Sequence, residues 1–465
     1  MATRSPGTTR SRRSTPKEPE GRFGPARAAV GRGAKALDVW LRRPLTSLHL
    51  ILAVWGLLTL FGLVMVLSAS AVESYSAGGS SYSVFVRQLG FCAGGLVLFW
   101  IGLRVPPKRM RAFAPWMLLV GVVALVAVLI PGVGVTRNGS QAWFAIGSFS
   151  VQPSEAVKVA LTLWGAHVLV ARRAVMHRWK HALNPLVPVT LLLLTLLVLE
   201  PDLGMTISLG IVMIALLYFG GAPMKLLLTI GVGGLAGAVV LGLTAGYRVS
   251  RITSFLSSDT ADPLGPAYQA TQALYSLADG GLFGVGLGQG RAKWDYLPNA
   301  HNDFIFAIIG EELGMVGAFA VLALFATLAY TGLRIARRST DPWLRLVTAT
   351  STAWLVIQAA INIGYVVGLL PVTGLQLPLI SSGGTSMVVT MFVFGILTNA
   401  ARHEPEAVAA LRSNGQGRIA TFLRLPLPEP YRAVRGSASG GAARGADPRY
   451  RSPVPRPPAQ RSVRR

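Results

Sequence analysis

Long apolar stretches alternate with short polar segments between residues 48 and 399. Each stretch is 14 to 27 residues long, and about 20 apolar residues in an α-helix cross the hydrocarbon core of a bilayer. The pattern predicts an all-α polytopic membrane protein. We expect ten transmembrane helices, at residues 48–69, 88–103, 113–130, 154–171, 186–199, 205–219, 226–245, 304–330, 347–369 and 386–399.

The composition agrees with this class. Hydrophobic residues make up 52% of the 465 residues and charged residues only 14%, whereas a soluble domain carries about 25% charged residues. The single cysteine, Cys92, lies within an apolar stretch, so neither a disulfide framework nor a cysteine-based metal site is expected.

The formal net charge of +25 raises the question of nucleic-acid binding. However, 37 of the 44 Lys and Arg residues lie in the two tails and in alternate short loops. The positive-inside rule places those segments, and both termini, in the cytoplasm. Residues 1–46 are predicted to be a disordered basic tail, residues 47–401 the membrane domain, and residues 402–465 a second basic tail. Such tails suit anionic lipid or protein partners at the inner surface, and no nucleic-acid partner is expected.

Two of the segments assigned to the outer face are long. They are residues 131–153 and residues 247–303, the latter between the seventh and eighth predicted spans. In the latter, Ala267, Ala270, Leu274 and Leu277 recur at helical spacing before Gly280, which predicts a short helix at the membrane interface. A loop of this length is usually functional or disordered.

The first candidate site is at the end of that loop. Asp303 lies at the outer mouth of the eighth predicted span, and Glu311 and Glu312 lie two turns deeper. An ionisable group inside the membrane is a functional hypothesis by default, because burying its charge is costly. The alternative is that Asp303 caps the helix that follows it.

A second group of candidates surrounds the fourth and tenth spans. Glu155 and Lys158 are three residues apart on one helical face, so they can pair inside the membrane. Trp143 is either an interfacial belt residue or a stacking platform for a sugar ring. The loop at 371–386 is rich in glycine and small hydroxyl side chains, including Ser381, Gly383 and Thr385, and its backbone can approach an anionic ligand closely.

Two further motifs resemble functional sites but are not expected to be functional. The glycines at 284, 286 and 288 imitate a nucleotide-binding loop, but no strand precedes them. Ser381 and Ser382 have no histidine nearby in the chain, which disfavours a serine hydrolase.

Taken together, the motifs over residues 48–410 resemble the shape, elongation, division and sporulation (SEDS) family of peptidoglycan polymerases. The resemblance is to the cell-division member more than to the elongation member. Two positions depart from it, since many relatives carry Arg where this chain has Ala142, and some carry a basic residue where it has Ser150. The matching motifs are Asn-Gly at 138–139 with Trp143, Gln-Pro-Ser-Glu at 152–155, Pro-Asp-Leu-Gly at 201–204, Leu-Pro at 297–298 with His301 and the residues 303–306, Glu-Glu-Leu-Gly at 311–314, and residues 371–386.

The resemblance implies a function in septal cell-wall synthesis, namely polymerisation of lipid II into glycan strands on the outer face of the bacterial cell membrane. Asp303 is then the general base, alone or with a divalent cation, Mg or Mn, and no organic cofactor is expected. Lys293, Arg248 and Arg251 are the candidate pyrophosphate contacts. The residues expected to line the substrate cavity are Trp143, Glu155, Lys158, Ser381, Gly383 and Thr385.

The family also implies partners, namely a class B penicillin-binding transpeptidase and other division proteins that meet the tails. Two alternatives remain open. A lipid II flippase would use the Glu155 and Lys158 pair inside the bilayer. A scaffold that only recruits division proteins would explain the tails but not the chemistry of the outer loop.

Overall fold

The computed structural model describes residues 39–41, 43–76, 80–137, 139–147, 149–173, 184–244, 266–294, 297, 300–415 and 417–431. One compact unit ends at Glu429, and the structure describes only the first two residues of the C-terminal unit, Pro430–Arg465. The predicted disorder of residues 1–46 falls largely on residues 1–38 and 42, which lie outside the described residues.

The described chain is predominantly helical, and each of the ten apolar stretches coincides with one helix. Among the described residues, seven helices, α1 to α4 and α9 to α11, are long and apolar enough to cross a membrane, while α5, α6 and residues Met224–Gly237 of α7 form shorter apolar segments. The chain is therefore a multi-pass membrane protein. The helices are α1 (Thr46–Ser76), α2 (Ser83–Arg104), α3 (Pro107–Val128), α4 (Pro153–Ala171), α5 (Leu186–Leu199), α6 (Leu203–Phe219), α7 (Met224–Thr244), α8 (Pro266–Asp279), α9 (Ile305–Arg338), α10 (Pro342–Val366), α11 (Gly384–Arg402), α12 (Pro405–Ser413) and α13 (Arg418–Phe422).

A small antiparallel sheet lies between α3 and α4, and it corrects the all-α prediction. Its strands are β1 (Val135–Arg137), β2 (Ser140–Ile146) and β3 (Phe149–Val151), in the order β1-β2-β3. The turns next to β2 contain Gly139 and Gly147 with positive φ, a conformation that glycine adopts without steric cost. Strands β1 and β3 have only three residues, and β2 (SQAWFAI) does not alternate regularly between apolar and polar residues, which is why the sequence did not predict the sheet.

Two groups of loops mark the ends of the helix bundle. At the loop end, the sheet, the α5–α6 turn and the segments before α9 and α11 contact one another. At the tail end, the Asn399 amide donates to the carbonyls of Gly102 (2.9 Å) and Val105 (2.7 Å). The Trp100 indole donates to the Leu423 carbonyl there (3.0 Å). The first part of the predicted C-terminal tail is therefore folded against the bundle.

Helix α9 is broken at Gly314, where φ is 65° and ψ is −164°. In an uninterrupted helix the amides of Met315 and Val316 would bond to the carbonyls of Glu311 and Glu312. Instead, Met315 donates to the Gly281 carbonyl (3.0 Å) and Val316 to the Leu282 carbonyl (3.2 Å).

The carbonyls on the other side of the break also have partners. The Glu311 carbonyl accepts from Val285 and the Glu312 carbonyl from Gly286, both at 3.0 Å. The segment between α8 and α9 thus completes the hydrogen bonding of the broken helix. We call residues 280–293 the clasp.

The clasp explains the glycine motif that imitated a nucleotide loop. Gly284 has φ of +80°, and a Cβ there would lie 2.2 Å from the Glu312 carbonyl oxygen. Gly288 has the same φ, but a Cβ there would meet nothing within 4 Å. Glycine is thus required at 284 by close packing as well as by backbone conformation.

We expect Gly284→Ala to lower stability more than Gly288→Ala. Both substitutions carry the cost of a left-handed alanine, about 1–2 kcal/mol, and only the first also forces the clasp away from α9, at a further cost of about 1–3 kcal/mol. Thermal unfolding in detergent measures the difference. Equal losses for the two variants would show that the clasp does not pack as closely on α9 as described.

Candidate active site

Three polar side chains on one face of α10 organise the loop end of the bundle. Gln358, Asn362 and Tyr365 have the spacing i, i+4, i+7, and all three are buried. This spacing places them in a row on one helix face. They are not among the site residues predicted from the sequence, although a polar row within an apolar span is a signal that could have identified them.

The row holds the segment that precedes α9. The Asn362 amide and the Tyr365 hydroxyl donate to the main-chain carbonyl of Asp303, at 3.0 and 2.9 Å. The Asn362 amide also donates to the Leu375 carbonyl (2.8 Å), and the Tyr365 hydroxyl oxygen lies 2.9 Å from that carbonyl oxygen. The Asp303 segment and the loop before α11 are therefore fixed to the same helix.

Asp303 itself is half-buried and lies one residue before the N-cap of α9, which is Phe304. The interpretation of Asp303 as the helix cap was therefore wrong. Because the contacts with Asn362 and Tyr365 use its main-chain oxygen, these contacts do not depend on the identity of its side chain.

The ion pair predicted from the sequence is formed. Lys158 Nζ lies 3.1 Å from the Glu155 carboxylate, and both side chains are almost entirely buried. Lys158 also lies 4.7 Å from the centre of the Trp354 ring and 3.4 Å from Gln358 Oε1. Gln358 in turn donates to the Gln376 carbonyl (2.8 Å). The pair is thus connected through α10 to the loop before α11.

That loop contains the three weaker candidates. The Ser381 hydroxyl accepts from the Leu377 amide (2.8 Å), and a Cβ at Gly383 would lie 1.8 Å from Gln376 Oε1. Thr385 Oγ1 accepts from the main-chain amide of Gln152 (3.0 Å). These contacts give all three residues a role in shaping the loop, whatever their role toward a ligand.

Direct contacts also join this loop to its neighbours. The Ser382 amide donates to the His301 carbonyl (3.0 Å), and Thr385 donates to the Ser150 carbonyl in β3 (3.3 Å). Asp303, the Glu155–Lys158 pair and residues 381–385 therefore belong to one connected network. Trp143 is half-buried in β2 of the adjacent sheet.

Lys293 lies in an internal ion pair. Its Nζ is 2.9 Å from the Glu312 carboxylate and donates to the Gly288 carbonyl (2.7 Å), while the Ser68 hydroxyl of α1 donates to the same carboxylate (2.6 and 2.7 Å). The neighbouring Glu311 accepts from the Arg291 and Ala292 amides, at 2.5 and 3.2 Å. The carboxylates of Glu311 and Glu312 thus anchor the clasp.

The other two predicted pyrophosphate contacts, Arg248 and Arg251, lie outside the described residues.

Within the described ranges, no three His, Cys, Asp or Glu side chains gather into a preformed metal site. One or two carboxylates together with substrate phosphates are enough to bind Mg²⁺. A divalent ion at Asp303 would therefore need fewer than three such side chains, with substrate phosphates completing its ligands.

The α5–α6 turn supports the sheet. The Ser140 hydroxyl donates to the Glu200 carbonyl, and the side-chain amide of Gln152 donates to the Asp202 carboxylate (2.9 Å). The other carboxylate oxygen of Asp202 caps α6 by accepting from the Met205 amide (2.9 Å). The sheet that carries Trp143 is thus attached to the bundle at two points.

Glu200 has an unusual environment in this turn. Its side chain is fully buried, and neither carboxyl oxygen has a partner among the described residues. Burial, with a smaller contribution from the charge of Asp202, raises the pKa of Glu200 to about 8. The carboxyl group is therefore protonated at neutral pH.

We expect Glu200→Gln to reduce the pH dependence of stability. A raised pKa in the folded state means that the contribution of Glu200 to stability is complete below about pH 4.5 and falls as the pH rises toward 8. The loss is at most about 1.4 kcal/mol per pH unit. Melting temperatures of wild type, Glu200→Gln and the exposed control Asp279→Asn, measured at pH 5 and pH 8, test this. Equal pH dependence in wild type and Glu200→Gln would contradict it.

Comparison with known proteins gives the same family as the motifs. The model of the FtsW/RodA/SpoVE family, described as cell cycle protein, matches residues 48–406. The chain is 52% identical over 413 residues to the probable peptidoglycan glycosyltransferase FtsW of Mycobacterium tuberculosis, covering 88% of this chain and 79% of that protein. It is 39% identical to stage V sporulation protein E of Bacillus subtilis, covering 77% of this chain and 98% of that protein.

Comparison with solved structures supports the same family. A chain from a peptidoglycan synthase complex, in a study of how polymerization and crosslinking are coordinated, matches with a TM-score of 0.63 and 28% identity over 76% of this chain and 97% of its own length. The rod shape determining protein RodA of Thermus thermophilus matches with a TM-score of 0.57 and 26% identity, covering 76% of this chain and 96% of that one. These matches confirm the family inferred from the motifs, and the chain belongs to the FtsW/RodA/SpoVE family of cell cycle proteins.

Proposed function

We propose that this protein is a peptidoglycan glycosyltransferase that polymerises lipid II into glycan strands during septal cell-wall synthesis. The observation that carries the proposal is the 52% identity, over 88% of the chain, to mycobacterial proteins named as probable peptidoglycan glycosyltransferases. The connected polar network around Asp303 supports it, because such a reaction needs a positioned proton acceptor.

The proposed topology has ten membrane spans with both termini in the cytoplasm. The tail end would face the cytoplasm, where 37 of 44 basic residues then lie, and the loop end would face outward. In this orientation Asp303 lies at the level where the head group of a membrane-bound lipid substrate is presented.

The proposed reaction is an inverting glycosyl transfer. The 4-hydroxyl oxygen of the acceptor N-acetylglucosamine forms a bond with C1 of the donor N-acetylmuramic acid. The bond between C1 and the pyrophosphate oxygen breaks, and undecaprenyl pyrophosphate leaves with the bonding electrons. The Asp303 carboxylate accepts the hydroxyl proton as this happens. Asn362 and Tyr365 hold Asp303 in place for this role.

Other residues would bind the substrate. Trp143 is proposed to stack on a sugar ring, and the Glu155–Lys158 pair to line the cavity. Arg248 and Arg251 are proposed to contact the pyrophosphate. The ammonium group of Lys293 is committed to Glu312, so we propose that it acts by fixing the clasp between α8 and α9.

A divalent cation is also part of the proposal. Bound by Asp303 together with the substrate pyrophosphate, Mg²⁺ or Mn²⁺ would neutralise charge that develops on the leaving group.

The proposed partner is a class B penicillin-binding transpeptidase. Its support is the similarity to a chain from a complex that coordinates polymerization with crosslinking. Other division proteins are proposed to meet the basic tails, and the protein would then act in the cell membrane at the division septum.

A reconstituted assay tests the enzyme against the flippase. The protein is placed in vesicles, and lipid II is then added to the outer leaflet alone. Glycan polymer, detected by gel electrophoresis and lost on lysozyme treatment, supports the glycosyltransferase. Absence of polymer, together with transfer of fluorescent lipid II between leaflets, would support the flippase, for which the buried Glu155–Lys158 pair is the relevant feature.

A further inference from the structure

The clasp carries a row of exposed apolar side chains that the proposed reaction does not use. Phe283 is 82% exposed and Leu282 is 61% exposed, while Val285 and Leu287 are about half exposed. Water-exposed loops rarely present four large apolar side chains within six residues, because each loses hydrophobic free energy there. Their exposure calls for an apolar environment.

The hydrogen bonds of the clasp set its depth along α9. The helix begins at Ile305, and the clasp bonds to the main chain between Glu311 and Val316. From Val316 to its end at Arg338, α9 runs about 33 Å at 1.5 Å per residue, and the hydrocarbon core of a bilayer is about 30 Å thick. The clasp therefore lies beside the outer end of the part of α9 that crosses the membrane.

Non-helical backbone at this depth can face lipid only if its polar groups are paired. The clasp pairs the polar groups on its inner side with α9. The Gly281 and Leu282 carbonyls accept from α9, and the Val285 and Gly286 amides donate to it. The Gly288 carbonyl accepts from Lys293 (2.7 Å).

The apolar surface continues from the clasp onto α9. The Leu282 carbonyl accepts a hydrogen bond from the Val316 amide. Val316 is 58% exposed, and its neighbours Met315 and Phe319 are 48% and 60% exposed. The two elements thus present one continuous apolar face at a single depth. A face that continues the surface of a membrane span is suited to the same surroundings as the span.

We propose that the clasp is inserted in the membrane and that Leu282, Phe283, Val285 and Leu287 contact the acyl chains of phospholipids beside the candidate active site. The proposal uses the membrane placement of α9 and is independent of the reaction assigned to Asp303. Membrane contact of the clasp would also keep the segment leading to Asp303 at a constant depth, since Lys293 and Glu312 tie that segment to α9.

Site-directed spin labelling tests the proposal. Single cysteines are introduced at Phe283, Val316 and Tyr82 in a Cys92→Ala background, and each labelled protein is reconstituted into phospholipid nanodiscs. Val316 on α9 is the lipid-facing reference, and Tyr82, which is 59% exposed before α2, is the water-facing reference. Collision rates with oxygen and with a water-soluble nickel chelate are measured for each label.

The label at 283 is expected to behave like the label at 316. Its ratio of oxygen to nickel collisions should be severalfold higher than that at 82. A ratio equal to that at 82 would place the clasp in water and overturn the proposal. Low collision rates with both reagents would mean that protein covers the clasp, and would also overturn it. Leu287→Cys repeats the test if Phe283→Cys does not fold, and neither result depends on polymerase activity.

Discussion

Replacing Asp303 by Ala is expected to abolish formation of glycan polymer while the protein remains folded. A positioned general base contributes roughly 10²- to 10⁴-fold to the rate of such a step, and Ala cannot accept the hydroxyl proton. Folding should survive because Asn362 and Tyr365 bind the main-chain oxygen of Asp303, not its carboxylate. Asp303→Asn should lose activity to a similar extent, since an amide of nearly the same shape is not a base.

Polymerisation of lipid II by the purified variants, measured together with their melting temperatures, checks this expectation. Asp279→Asn is the matched control, because Asp279 is an exposed carboxylate at the end of α8, in the same loop. It should retain wild-type activity. Polymer formation by folded Asp303→Ala at the control rate would remove Asp303 from the mechanism.

Glu155→Gln is expected to cause the largest loss of stability. The substitution leaves the Lys158 ammonium group buried, at 1% exposure, without its carboxylate partner at 3.1 Å. Breaking one side of a buried ion pair costs about 3–5 kcal/mol. The remaining neighbours, Gln358 and the Trp354 ring, are neutral and do not balance the charge. Polymerase activity should fall as well, because the same helix contacts fix the loop before α11.

The double variant Glu155→Gln, Lys158→Met separates stability from function. Removing both charges eliminates the unpaired ion, so most of the stability should return. If the pair lines the substrate cavity, activity should not return with it. Lys108→Ala is the control, since the Lys108–Glu429 pair is highly exposed and its loss should cost at most about 1 kcal/mol. Equal melting temperatures for Glu155→Gln and Lys108→Ala would contradict the assignment of a buried pair.

Much of the architecture could be predicted from the sequence. Burial in a bilayer requires long apolar helices, so hydropathy alone located ten helices, although their ends differ by several residues. Local spacing was equally informative. The i,i+3 relation of Glu155 and Lys158 predicted their ion pair, and the periodic apolar residues after Pro266 predicted α8. These features depend on neighbours in the chain, which the sequence displays directly.

Other features depend on contacts between distant segments, and only the tertiary structure decided them. The sequence marked Lys293 as a ligand contact, but its partner is Glu312 in α9. The glycines of the clasp had no visible purpose until the break at Gly314 exposed the backbone groups that they satisfy.

The same holds for the polar row on α10. Asn362 and Tyr365 act on Asp303, about 60 residues away in the chain, and no local pattern specifies that partner. The sequence by itself determined the membrane fold and identified Asp303 as the candidate general base. The tertiary structure determined what holds Asp303 in place, because packing brings together groups that hydropathy and spacing treat as independent.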